Sequence, residues 1–84
     1  MATRKPEKVF RIGYVTASVF TREVDTDDGK ITLRAVNLQK RYMDGEEVKY
    51  TSSFGLAELP QALRALQLAT SYVEQQEATV SLND

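Results

Sequence analysis

The chain has no cysteine, no histidine and no tryptophan. Without cysteine there is no disulfide to staple a small fold and no thiolate nucleophile, and without histidine the commonest general base and metal ligand is missing. Little room is left for hydrolase or redox chemistry, and neither a metal nor another cofactor is expected. No run approaches the ~20 apolar residues of a membrane span. The charged start Met1-Ala2-Thr3-Arg4-Lys5-Pro6-Glu7-Lys8 leads into a stretch broken by Arg11, Thr16 and Ser18 rather than into the apolar core of a secretory leader. The expected location is cytoplasmic. Charge of one sign is also lacking: 11 Lys and Arg stand against 12 Asp and Glu, a net charge of −1. The total alone therefore gives no reason to expect a polyanionic partner.

What is present is enough for one small fold. Of 84 residues, 42% are hydrophobic and 27% charged, a soluble globular balance. A domain of this size buries only about 60% of the surface its unfolded chain exposes, so its stability rests on one small core or is shared with a partner. The reading is a single domain over residues 8–76, with a flexible tail at 1–7 and another tail at 77–84.

Residues 8–23 are dense in β-branched and aromatic side chains and read as one long strand. A bulge or bend would split it in two. Alternation sets Val15, Ala17 and Val19 on one face and Tyr14, Thr16, Ser18 and Phe20 on the other. The turn cluster Asp25-Thr26-Asp27-Asp28-Gly29-Lys30 reverses the chain. Residues 31–42 form a second strand in which Ile31 and Leu33 fall out of phase with Val36 and Leu38, so a β-bulge is expected near Ala35. Met43-Asp44-Gly45-Glu46 reverses the chain again, and residues 48–54 alternate Val48, Tyr50 and Phe54 against Lys49, Thr51 and Ser53.

After Gly55 the period becomes helical. Leu59, Leu63, Leu66, Thr70 and Val73 form a stripe, and Pro60 stands in the first turn, where a helix tolerates it. Ala62, Ala65, Leu68, Ala69 and Tyr72 widen the apolar arc to about twice the roughly 100° that one sheet covers. Either the helix is unusually well covered by its own sheet and tail, or its Ala65, Leu68, Ala69 and Tyr72 side packs against a second copy of the chain. The homodimer is the favoured reading. The fold class is thus α+β: a curved antiparallel meander of three to four strands followed by one C-terminal helix.

The charges sort by element. Lys8, Arg11, Arg22, Arg34, Lys40, Arg41 and Lys49 lie on strands, whereas most acids lie in the turns, on the helix or in the tail. If the helix covers the face with Val15, Ala17, Val19, Val36, Leu38, Val48, Tyr50 and Phe54, the other presents Tyr14, Thr16, Ser18, Phe20, Asn37, Gln39, Arg41, Lys49, Thr51 and Ser53. Rings, amides, hydroxyls and cations on one surface suit single-stranded nucleic acid, whose bases stack and whose phosphates need positive charge. Each residue singly also has an ordinary reading as a cross-strand packing residue. No catalytic constellation is found. Asp25 to Gly29 lacks the third acid and the closing Glu of a calcium loop. Ser52-Ser53-Phe54-Gly55 lacks the glycines of a nucleophile elbow or phosphate loop.

The order Lys8-Val9-Phe10-Arg11-Ile12-Gly13, then Lys40-Arg41-Tyr42-Met43-Asp44-Gly45, then Thr51-Ser52-Ser53-Phe54-Gly55 and a closing Leu-rich helix resembles the positive-cofactor-type, or Whirly-like, family of small bacterial and phage proteins. The likeness spans roughly residues 8–76. It implies a homodimer whose curved antiparallel sheets bind single-stranded DNA, with the C-terminal helices forming much of the dimer interface. The leading reading is a non-enzymatic single-stranded nucleic-acid-binding protein with little sequence preference, acting as a dimer in transcription, replication or repair. RNA is the other candidate ligand. Arg11, Tyr14, Phe20, Arg22, Arg34, Lys40, Arg41 and Lys49 are the positions the resemblance implies for contact. Because tryptophan is absent, stacking would fall to Tyr and Phe. The rival reading is a protein-interaction or assembly module on the same fold, binding no nucleic acid.

Overall fold

The computed structural model describes residues 5–77, and in them every reversal between strands carries a glycine with positive φ: Gly13 at +60°, Gly29 at +116° and Gly45 at +68°. Gly13 and Gly45 each take the first of two loop residues, the position at which a tight hairpin needs left-handed backbone. Between these reversals run β1 (Lys8–Ile12), β2 (Val15–Thr26), β3 (Gly29–Asp44) and β4 (Glu47–Thr51), followed by α1 (Leu59–Glu77). The strands form one antiparallel sheet in the order β1-β2-β3-β4, so the fold is α+β.

The single strand expected over residues 8–23 is therefore two strands. Gly13 and Tyr14 reverse the chain between them, and Ile12 pairs with Val15. A side chain at position 13 would be strained by the backbone and would also meet the Gln61 amide oxygen 2.7 Å from its Cβ. The left-handed conformation alone costs a residue other than glycine roughly 1–2 kcal/mol.

The bulge expected near Ala35 is absent. The β2–β3 ladder runs unbroken from Val15 opposite Lys40 to Thr26 opposite Gly29. The phase change that suggested a bulge is a change of face. Near the helix, the apolar pairs Ala17–Leu38 and Val19–Val36 lie on the helix side. Toward the hairpin tip, Val24–Ile31 and the neighbouring Phe20 and Leu33 lie on the opposite side. The helix reaches β1, β2 and part of β3, and the hairpin continues past it. Sixteen residues of β3 at about 3.4 Å each reach about 54 Å, which accounts for the 51 Å long axis of a molecule only 16 Å thick. The radius of gyration is 15.7 Å, against about 12 Å for a compact chain of this length.

The core is correspondingly small. Val15, Ala17 and Val19 of β2 are fully buried beneath Ala62, Ala65 and Ala69 of α1, with Phe10, Ile12, Val36, Leu38, Phe54, Tyr72 and Val73 packed around them. Three alanines let the helix approach the sheet closely, and Tyr72 closes one end edge-to-face on Phe10 at 6.1 Å between ring centroids.

Of the expected dimer contact through Ala65, Leu68, Ala69 and Tyr72, this packing takes Ala65 and Ala69 into the chain's own core. Ala65 and Ala69 have no exposed surface, and Leu68 and Tyr72 are half-buried, because the helix turns its small-residue side to its own sheet. The surplus apolar arc is real but lies on the other side. Leu59, Leu63 and Leu66, expected to face the sheet, are 48%, 59% and 41% exposed. Of that stripe, Val73 packs against the core.

The expected flexible tail at 1–7 is anchored at its end. The Glu7 amide donates to the Val19 carbonyl at 2.7 Å, and its carboxylate meets Arg34. Of the tail expected at 77–84, Glu77 is the last residue of α1, and the rest lies outside the described residues.

Candidate nucleic-acid interface

Cross-strand partners share a face of the sheet, so the register sorts the charged residues without reference to any ligand. The side covered by the helix carries Lys8, Glu23, Asp25, Lys30, Arg34, Lys40, Asp44, Glu47 and Lys49. The open side carries Arg11, Arg22 and Arg41, and among the described strand residues no carboxylate. A molecule with a net charge of −1 thus presents one face on which the only formal charges among the described strand residues are three guanidinium groups.

Ion pairing follows the same division. Arg34 grips Glu7 with two hydrogen bonds, Nε to Oε1 at 2.8 Å and Nη2 to Oε2 at 3.1 Å. Lys40 pairs with Glu58 at 3.1 Å and Lys49 with Asp44 at 2.9 Å. The guanidinium of Arg34 holds the Glu7 carboxyl below its ordinary value, and burial together with the Glu7 hydrogen bond raises the Tyr72 hydroxyl. Glu58 is also lowered, first by the Gly55 amide that donates to it at 2.8 Å and then by Lys40. These contacts tie the N-terminal segment and the start of α1 to the sheet. Arg11, Arg22 and Arg41 take part in none of the ion pairs.

On the open side the residues form rows across the strands. Tyr14, Arg41 and Tyr50 make the first row: Arg41 pairs with Tyr50, and its amide donates to the Tyr14 carbonyl at 2.9 Å. Arg11, Thr16 and Gln39 make the second, and Val9, Ser18 and Asn37 the third. Phe20 with Ala35 and Arg22 with Leu33 continue toward the hairpin tip. The Arg41 guanidinium carbon lies 5.9 Å from the Tyr14 ring centroid, within cation–π range. A shallow cleft of about 140 Å³ between the first two rows is lined by Arg11, Gly13, Tyr14, Thr16, Arg41 and Tyr50. Tyr14 is 65% exposed and Tyr50 60%, so both rings are accessible to a stacking partner. From the first row to Arg22 is eight residues of strand, roughly 27 Å.

Of the residues expected to bind, Arg11, Tyr14, Phe20, Arg22, Asn37 and Arg41 come together along this face. Arg34, Lys40, Lys49 and Thr51 do not. Their register places them on the helix side, where the first three neutralise carboxylates and the Thr51 hydroxyl accepts from the Ser53 amide at 3.1 Å. Alternation alone puts Tyr50 on the covered face, whereas the register puts it on the open one. The signal for it is the two-residue loop Gly45-Glu46: once Asp44 opposes Glu47, Tyr50 must oppose Arg41.

Comparison with known protein families, with curated proteins and with solved structures found no match for this chain.

Proposed function

We propose that this chain is a non-enzymatic single-stranded nucleic-acid-binding protein, with DNA as its ligand, working as a homodimer. The observation that carries the reading is the open sheet face, on which Arg11, Arg22 and Arg41 are interleaved with Tyr14, Tyr50, Asn37 and Gln39 and meet no carboxylate among the described strand residues. Guanidinium groups capture the phosphates, the two accessible tyrosines stack on bases, and the amides and hydroxyls between them hydrogen-bond sugar or base. An open sheet face suits an extended strand and offers no helix to a duplex major groove. The Whirly-like resemblance of the sequence points the same way.

The homodimer is supported by the thin core and by the leucines left on the outer side of α1. Val15 and Val19 are the only large side chains fully buried among the described residues, and a cysteine-free domain this small gains from an added apolar interface. A second copy seated on Leu59, Leu63 and Leu66 would supply it.

A titration of labelled single-stranded and duplex oligonucleotides against salt tests the function. With three phosphate-contacting arginines, log K should fall against log salt with a slope of about −2, a roughly 20-fold weakening between about 50 and 200 mM. The duplex should bind more weakly. A flat salt response, or no binding at about 50 mM salt, would contradict nucleic-acid binding and leave the protein-interaction reading.

A further inference from the structure

A second cleft, larger than the one on the open face, lies where the end of β3 meets the start of α1. It encloses about 460 Å³, within the roughly 300–1,000 Å³ of sites that hold small molecules. Tyr14, Tyr42, Met43 and Ala57 supply its apolar walls, and Lys40, Arg41, Glu58 and Gln61 its polar groups. Tyr14 and Arg41 line both clefts, so this one adjoins the open face and reaches from it to Lys40 and Tyr42, which belong by register to the helix side.

We propose that this cleft takes one guanine base from the bound single strand, an inference that rests on the single-strand reading above. The polar groups are held before any ligand arrives. Glu58 Oε1 accepts from the Gly55 amide at 2.8 Å and from Lys40 Nζ at 3.1 Å, which fixes the carboxylate beside the ammonium and keeps it ionised. Oε2 takes part in neither bond. A carboxylate offers about four lone-pair sites and an ammonium three donors, so acceptors on Glu58 and donors on Lys40 stand side by side with capacity left.

Guanine has the matching Watson–Crick edge. Its N1–H and N2–H₂ are adjacent donors for the carboxylate, and its O6 is an acceptor for the ammonium. The other bases fit less well. Adenine and cytosine each set one ring-nitrogen lone pair beside their amine, facing the carboxylate, and thymine flanks its single N–H with two carbonyls. A pair of charged groups left unmatched in a half-enclosed cleft disfavours those bases. Tyr14 and Tyr42 provide ring surface for the base.

The test uses the full chain and fluorescence anisotropy with oligo-dT of about 15 nucleotides carrying one central dG, one central deoxyinosine, one central dA, or no replacement. Deoxyinosine keeps N1–H and O6 but lacks the N2 amine. The dG strand should bind about 10-fold more tightly than plain oligo-dT, and the inosine and adenine strands should lose most of that gain. Glu58→Gln should remove the preference for dG while leaving oligo-dT affinity in place. Because the inosine comparison uses the native chain, it decides the matter even if that variant folds poorly. Equal affinity for all four strands, or dG equal to inosine, would overturn the guanine site and leave single-strand binding standing. No binding to any strand would overturn both.

Discussion

The double variant Arg11→Glu/Arg41→Glu is expected to lose single-stranded oligonucleotide binding by well over an order of magnitude while keeping its fold. A phosphate contact to a single strand contributes a salt term of about 0.7 log units per tenfold dilution of salt, close to 8-fold at about 50 mM, so two contacts amount to roughly 60-fold. Charge reversal adds repulsion to that loss. The salt slope should flatten from about −2 to about −0.7, the share of Arg22 alone. Both arginines are exposed and enter no ion pair among the described residues, so their replacement breaks no structural contact of that kind. Lys49→Ala is the matched control. Lys49 lies on the helix side and pairs with Asp44 at 2.9 Å, and an exposed pair of this kind contributes no more than about 1 kcal/mol to stability. Its loss should leave affinity within about 3-fold. Equal losses from Lys49→Ala and from the double variant would place the ligand on the wrong side of the sheet.

The second large effect concerns assembly. Leu63→Glu/Leu66→Glu should turn a dimer of 9.5 kDa chains into a folded monomer, read by sizing with light scattering and by an unchanged far-UV circular dichroism spectrum. Burying a leucine contributes roughly 1.5–3 kcal/mol. Two positions in two copies therefore reach about 6–12 kcal/mol as an upper bound, which corresponds to at most about 10⁴- to 10⁹-fold in the dissociation constant. Ala65→Glu should behave differently. Ala65 has no exposed surface and packs in the Val15–Val19 core, so a carboxylate there unfolds the chain. A wild-type monomer, or an unchanged dimer in the leucine variant, would show that the outer side of α1 is not the interface.

Much of this architecture is legible in the residues, and the errors have physical causes. The helix Leu59–Glu77 is announced by the change of period and by Pro60, and the long β2–β3 hairpin by its Asp-rich turn. The reversal at Gly13 is masked by high strand propensity on both sides of it, although a glycine followed by one residue is enough for a tight reversal. The helix face was exchanged because leucines outweigh alanines on any hydropathy scale. Packing instead rewards the closer approach that Ala62, Ala65 and Ala69 permit over Val15, Ala17 and Val19. The out-of-phase Ile31 and Leu33 require a bulge only if one face is apolar throughout, and the ladder there is unbroken. In fact the helix ends short of the hairpin tip, and apolar residues there need not face it. On β4 the same assumption put Tyr50 on the covered side, where hairpin register alone places it beside Arg41. For the candidate site, residue type alone singles out Arg11, Tyr14, Arg22, Asn37 and Arg41. Arg34, Lys40 and Lys49 could be separated from them only by register, because their partners Glu7, Glu58 and Asp44 are 27, 18 and 5 residues away.

The central claim is that the open face of the sheet, and not the helix side, receives a single strand. The most direct measurement is a nuclear magnetic resonance titration of the labelled chain with oligo-dT at low salt, following backbone amides and arginine side chains. The account predicts shifts concentrated on Arg11, Thr16, Asn37, Gln39, Arg41 and Tyr50, with Arg34, Lys49 and Ala69 left in place. Shifts centred on α1 or on the helix-side residues of the strands, with the open face silent, would contradict it.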